Sequence, residues 1–197
     1  MHPYAIDSEE RRNVLLGIAF VSVGLAYGLH WFMLHMNIQA PWWVELPSAP
    51  GIAGVLYKAF DKWLWRWFRK IGIVKIPDIQ GQWEVDGYTS FEQKKSFKAK
   101  VIIRQTWTRI SVYLETEQSI SRSLAASLSF NQPEGAFLIY HYRNEPKPNA
   151  MKTMHAHRGT ALLRLKNDEF MEGDYYTGRD RQNYGGLTLR RVSKTCR

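Results

Sequence analysis

With 197 residues and a formal charge of +9, the chain is long enough for one ordinary domain or for a small domain with an attached segment, and it should attract anions. The charge is uneven: residues 1–78 carry eight Lys/Arg against six Asp/Glu, and residues 79–197 carry nineteen against twelve. The single cysteine, Cys196, excludes an intramolecular disulfide framework and a cysteine-based zinc site, and it fits a reducing compartment.

From Val14 to Met36 no Asp, Glu, Lys or Arg interrupts the chain, and about 20 such residues suffice to span the hydrocarbon core. A transmembrane helix is expected there. The run is too long for the apolar part of a cleaved signal peptide, and no small-x-small cleavage site precedes Pro41-Trp42-Trp43. Gly24-x-x-x-Gly28 offers a small-residue face for helix contact.

Pro41, Pro47 and Pro50 delay the next helix to about Gly51. The uncharged part of this second segment, Leu46 to Tyr57, covers only half a span, so hydropathy leaves an interfacial helix and a second crossing both open. Charge placement favours the crossing. Arg11 and Arg12 precede the first helix, Lys62, Arg66, Arg69, Lys70 and Lys75 follow the second segment, and Asn37 to Leu46 between them carries no Lys or Arg. The positive-inside bias then puts both flanks in the cytosol, which requires two spans, helices of about 13–36 and 46–70 within a membrane region 1–76. Trp42 and Trp43 at the outer boundary and Trp63, Trp65 and Trp67 at the inner one match the aromatic belts of membrane interfaces. The stretch DKWLWRWFRK, Asp61 to Lys70, is read as the only covalent route from membrane to the rest of the chain.

Beyond Pro77 the pattern changes to period-two alternation bounded by turn residues. Eight strands are predicted: 82–88, 96–106, 109–116, 121–130, 136–143, 157–165, 169–177 and 186–192. In the second, Phe97, Ala99, Val101 and Ile103 share one face, and Lys98, Lys100 and Arg104 the other. With turns at 131–135, 144–148, 166–168 and 183–186 and no helical period between strands, residues 77–197 are expected to form an all-β, eight-stranded antiparallel up-and-down barrel. Gly81-Gln-Trp83 on the first strand, with Arg190 and Arg191 on the last, resembles the arrangement of lipocalin-like barrels in which a cation over the indole closes one end.

No nucleophile elbow, P-loop or dinucleotide fingerprint is present, so no catalytic residue is assigned and an enzyme is not expected. His155-Ala-His157 places two imidazoles on one strand face but signals no third ligand, so no metal is assigned; Glu172 and Asp174 read as a charged strand face. Binding is better supported. Arg143, Arg158, Arg179 and Arg181 fall at strand ends or in connections, interleaved with Tyr140, Tyr142, Tyr175, Tyr176 and Tyr184. Guanidinium groups suit phosphates and aromatic rings suit stacking on bases. A closed barrel offers a concave mouth of limited size, matched to a small anion rather than to DNA or RNA. A membrane-anchored lipocalin-like carrier of a lipid or hydrophobic ligand is the alternative, and an enzyme on a phosphorylated lipid using His155 and His157 is a third.

The short two-helix part through Lys70, the segment Ile76-Pro-Asp-Ile-Gln-Gly-Gln-Trp83 and the closing run Phe170 to Arg190 together resemble a known family: the bacterial antiphage effectors with two transmembrane helices and a β-strand-rich domain that accompany CD-NTase enzymes in cyclic-oligonucleotide signalling (CBASS). The resemblance implies a receptor. A cytosolic barrel binds a cyclic dinucleotide made by a partner CD-NTase, binding drives self-association into homo-oligomers, and the clustered helices disrupt the inner-membrane bilayer in abortive infection. No cofactor beyond the activating ligand is implied. On that reading Arg143, Arg158, Arg179 and Arg181 contact phosphates, Tyr140, Tyr142, Tyr176 and Tyr184 line or stack on bases, and Thr89, Asn183 and His157 supply polar contacts. The chain is then a multi-pass protein of the bacterial inner membrane with its N-terminus and barrel in the cytoplasm.

Overall fold

The computed structural model describes residues 1–37, 48–91, 95–150, 155–178 and 181–195; Trp42, Trp43, Arg179 and Cys196 lie outside them. The chain divides into two units, one made of Met1–Asp7 and Ile76–Arg197, the other of Ser8–Lys75.

In the first unit the described residues form nine strands: β1 (His2–Ile6), β2 (Gly81–Thr89), β3 (Ser96–Gln105), β4 (Arg109–Thr116), β5 (Ser119–Gln132), β6 (Gly135–Pro146), β7 (His157–Asn167), β8 (Phe170–Thr177) and β9 (Tyr184–Ser193). All eight segments predicted from the alternation are present. From β2 onward each strand pairs antiparallel with the next, and β9 returns to β2, so the hydrogen-bonded order closes on itself.

The expectation of eight strands is corrected to nine, and His2–Ile6, expected in the membrane region, belongs to the sheet. The reason is a length mismatch. β5 has 14 residues and β4 has 8, and the two pair directly at Tyr113–Arg122, Leu114–Ser121 and Glu115–Ile120. Past an irregularity between Ser123 and Ala125, β5 would be left with an open edge, a liability that folded sheets cover. β1 fills it, antiparallel to β4 at His2–Ile110 and Pro3–Arg109 and parallel to β5 through Tyr4–Ala126 to Ile6–Leu128.

The predicted two-faced pattern of β3 is realised, with Ala99, Val101 and Ile103 buried and Lys98, Lys100 and Arg104 exposed. At one end of the sheet Trp83, only 1% exposed, donates its indole N–H to the Ile79 carbonyl at 3.1 Å. The Arg191 guanidinium lies 4.5 Å from the Trp83 ring centroid and donates to the Asp78 carbonyl at 2.7 Å. Gln105 binds the same loop, accepting from the Ile79 amide and donating to the Pro77 carbonyl. This cluster closes the sheet at the start of β2, so any opening lies toward Thr89.

In the second unit α1 (Glu10–His35) is, among the described residues, the one helix long and apolar enough to cross a membrane, about 39 Å at ~1.5 Å per residue. α2 (Ser48–Ala59) packs against it and runs on through a π-helical turn, Phe60–Leu64, into α3 (Trp65–Lys70). The Glu10 carboxylate accepts the Lys75 backbone N–H at 2.6 Å, so the two ends of this unit meet. Trp63 and Trp67, four residues apart and thus on one helix face, are 65% and 70% exposed; Trp65, half a turn away, is buried. Trp65, expected at the membrane interface beside Trp63 and Trp67, is instead buried.

The stretch Asp61–Lys70 is not the only route between the units. Asp7 to Glu9 links β1 to α1 as well.

Candidate functional site

Strand register explains which side chains meet inside the sheet, because residues paired across a ladder point to the same face. One inward row runs Leu114–Ser121–Asn144–His157 across β4 to β7. A second contains Tyr142, Gly159 and Thr177, and a third Tyr140, Ala161, Tyr175, Gly185 and Thr89. Leu187, Gly87 and Phe97 complete the far wall. Around them lies a cavity of about 690 Å³, a size that suits a small molecule.

The walls are aromatic and the rim is cationic. Tyr140 and Tyr142 are tilted against each other with centroids 6.1 Å apart, and Phe97 meets Tyr175 edge-on at 6.4 Å. Glycines seat three of these rings: a Cβ on Gly87 would strike Phe97, one on Gly159 Tyr142, and one on Gly185 Tyr175. Burial raises the Tyr140 and Tyr142 phenols far above their ordinary range, and for Tyr142 the neighbouring Tyr140 and Tyr175 add to it while Arg181 opposes. Burial also raises Tyr175, against its hydrogen bond with Thr89 and the charge of Arg181. These rings are neutral hydrogen-bonding stacking surfaces at physiological pH.

Arg181, Lys95 and Lys98 bring positive charge to the rim, with Glu117 on the opposite lip. Arg181 is held from two sides. Its guanidinium sits 5.3 Å from the Phe91 centroid, and its Nε donates to the Asn183 side-chain oxygen at 2.8 Å when that amide also donates to the Arg181 carbonyl. The Asn183 backbone is clasped by Thr177, whose amide donates to its carbonyl at 2.8 Å and whose hydroxyl accepts its N–H at 2.8 Å. Within the first row, Ser121 donates to Asn144 Oδ1 at 2.8 Å, both side chains being buried. His157 Nδ1 lies 2.9 Å from the His155 carbonyl, which can only accept, so that nitrogen carries the proton. Among the described residues no group of three His, Cys, Asp or Glu is placed to hold a metal ion.

Of the residues expected at a binding site, the structure brings Tyr140, Tyr142, Thr89, His157, Arg181 and Asn183 to the cavity. Arg143, Arg158, Tyr176 and Tyr184 are on the outer face: Arg143 is paired with Glu145 at 3.2 Å, and Tyr176 and Tyr184 are 57% and 63% exposed. Period two separates them. If Tyr140, Tyr142 and Asn144 point inward, Arg143 points outward, and so does Arg158 opposite it. Arg179 lies outside the described residues. The sequence reading did not select Ser119, Ser121 and Asn144, buried polar groups lining the cavity, or Tyr175 as a ligand contact. The parity of Tyr140 and Tyr142 would have found Asn144.

Residues 74–191 match the family model described as Cap15, cyclic dinucleotide receptor domain, and residues 12–66 match Cap15, TM helices. The chain belongs to the Cap15 family. A relative named CD-NTase-associated protein 15 from Yersinia aleksiciae is 35% identical over 179 residues, covering 89% of this chain and 86% of that protein. One of the same name from Staphylococcus schleiferi is 26% identical over 153 residues, covering 76% and 81%. As a Cap15 protein the chain is a CBASS-associated antiphage effector that joins a cyclic dinucleotide receptor domain to a transmembrane region, and neither matching Cap15 model describes a catalytic domain. The cavity lies within the Cap15 receptor domain.

Proposed function

We propose that the cyclic dinucleotide occupies the cavity enclosed by strands β2 to β9, and that the closed sheet is a lipocalin-like barrel in the cytoplasm, carried on two membrane spans. The observation that carries the ligand assignment is the combination of a cavity of about 690 Å³ with buried aromatic walls and a cationic rim inside the receptor domain. Arg181, aided by Lys95 and Lys98, faces the phosphates. Phe97, Tyr140, Tyr142 and Tyr175 pack on the bases, and Thr89, Asn144, His157 and Asn183 make polar contacts. Arg179, two residues before Arg181, is a further phosphate contact on this reading. The lipid-carrier alternative is disfavoured by Arg181 and Lys95 at the rim and by the hydrogen-bonded Ser121–Asn144 pair in the cavity wall, polar groups of which an aliphatic chain makes no use.

Two observations support an even number of crossings. Both ends of residues 8–75 continue into strands of one sheet, and Glu10 and Lys75 are hydrogen-bonded to each other. The continuous helical run from Ser48 to Lys70 is about 34 Å long, enough for a hydrocarbon core of about 30 Å. Residues 1–76, less the first strand, are on this reading the membrane region, with Trp63 and Trp67 in the inner interface. Ligand binding then favours homo-oligomers whose packed helices breach the inner membrane in abortive infection, the ligand coming from a partner CD-NTase. The test is calorimetry of the full chain in lipid nanodiscs against a panel of cyclic dinucleotides. Binding to at least one member is expected; heat from none of them rejects the ligand assignment.

A further inference from the structure

We infer that β1 is a movable strut between the cavity and α1: a ligand in the cavity releases β1 from the seam between β4 and β5, and this release is what the membrane helix receives. The inference rests on the cyclic dinucleotide reading of the cavity.

The seam is where consecutive strands of the closed sheet pair over the fewest residues, three between β4 and β5, and also where the cavity touches it. β4 and β5 meet directly around Leu114–Ser121, and both residues line the cavity; beyond them β1 alone closes the gap. Ser123 is the junction. Its hydroxyl lies 2.8 Å from His2 Nε2 on β1 and accepts the Val112 N–H of β4 at 2.9 Å, and across the ladder it faces Tyr142, whose ring is in the cavity wall. A ligand pressing on Leu114, Ser121 or Tyr142 therefore acts on groups adjoining those that hold β1.

Release is the movement left to this strand. Its inward side chain, Tyr4, is already 3% exposed and donates to the Trp107 carbonyl at 2.9 Å. The Asp7 carboxylate already accepts from the Ser129 hydroxyl at 2.6 Å and from the Phe130 and Asn131 amides at 3.0 and 3.1 Å. Met1, Pro3 and Ala5 are exposed, so none of the described residues covers the strand from outside the sheet. α1 begins at Glu10, directly after this clasp, so freeing β1 and the clasp removes the sheet's hold on the start of α1 and leaves the connection through Lys75 and Ile76. For the ligand to drive this step it must bind the released form more tightly, so holding β1 in place must weaken the ligand by the same factor.

The test is a reversible clamp in the full chain: Ala5→Cys with Ser127→Cys, which are register partners, in a Cys196→Ser background. The protein is placed in dye-loaded liposomes and challenged with cyclic di-GMP, di-AMP, di-UMP and GMP-AMP. In the oxidised clamp, leakage should fall at least about tenfold and affinity about five- to tenfold, within the usual range of allosteric coupling. Reductant should restore both, and each single-cysteine variant should match the parent. Equal leakage from oxidised and reduced protein overturns the inference, as does leakage without ligand from the oxidised form, which would mean that docking rather than release is the signal. If the unclamped parent neither binds nor leaks, the reading of the cavity itself falls. Hydrogen exchange on the parent provides a second measure should the clamp fail to form: the Tyr4–Ile6 amides should exchange faster with ligand, and unchanged or slower exchange refutes release.

Discussion

Replacing Arg181 with alanine removes the one arginine that lines the cavity among the described residues. The Phe91 ring and the Asn183 amide hold its guanidinium in place beforehand, so little side-chain freedom is left to lose on binding a phosphate. A hydrogen bond to a charged group contributes about 1.5–3 kcal/mol, and the neutral rings behind Arg181 supply no charge in its place. Dissociation constants should therefore rise roughly 10- to 150-fold at ~1.4 kcal/mol per decade. Arg158→Ala is the matched comparison: an arginine on β7, but on the outer face. Its removal should change affinity less than about twofold, since a charge on the outer face, away from the ligand, acts chiefly through screened long-range attraction. Calorimetry on the full chain in nanodiscs reads both. If Arg158→Ala weakened binding as much as Arg181→Ala, the assignment by strand parity would be refuted.

Gly159→Val should force the Tyr142 ring off its seat, because the added carbons meet both that ring and the Tyr176 backbone carbonyl, which cannot yield. Overpacking of this kind costs about 1–3 kcal/mol, seen as a lower melting temperature together with lost ligand binding; a stable variant with parental affinity would mean that Tyr142 does not shape the site. Replacing Trp63 and Trp67 together with alanine should spare binding and reduce liposome leakage, since these exposed indoles share one helix face; undiminished leakage would remove them from the interface. Alkaline pH should destabilise the sheet. The Tyr140 and Tyr142 phenols are raised by burial, so no penalty arises below the unfolded value near 10.0, and stability falls as pH rises beyond it while the unfolded chain ionises first. Thermal melts between pH 8 and 11 would show this, and Tyr140→Phe/Tyr142→Phe should flatten the loss.

Much of the sheet was legible because its strands alternate. From Gln82 onward every predicted strand is present, and the indole–guanidinium closure expected from Trp83 and the terminal arginines is made by Arg191. β1 was not legible. His-Pro-Tyr-Ala-Ile is short, contains a proline, and finds its parallel partner more than a hundred residues away, a pairing that no local pattern encodes. The cavity was legible in residue type and partly missed in direction: arginines and tyrosines were gathered from adjacent positions, and adjacent strand residues face opposite sides. The same mistake on a helix put Trp65 beside Trp63 and Trp67. Ser121 and Asn144 were passed over because a serine or asparagine in an alternating strand reads as solvent-facing until register puts both in one inward row. The continuous helical run from Ser48 to Lys70 was obscured by Asp61 and Lys62, which sit in the π-helical turn that divides it into two shorter helices.

The most direct test joins ligand to membrane in one experiment: the full chain in dye-loaded liposomes of anionic lipid, titrated with the cyclic dinucleotide that calorimetry selects. Leakage should rise along the same curve as occupancy of the receptor domain, and Arg181→Ala should shift both curves together by the same factor. Saturated binding without leakage, or leakage indifferent to the nucleotide, would contradict a receptor whose cavity controls its membrane helices.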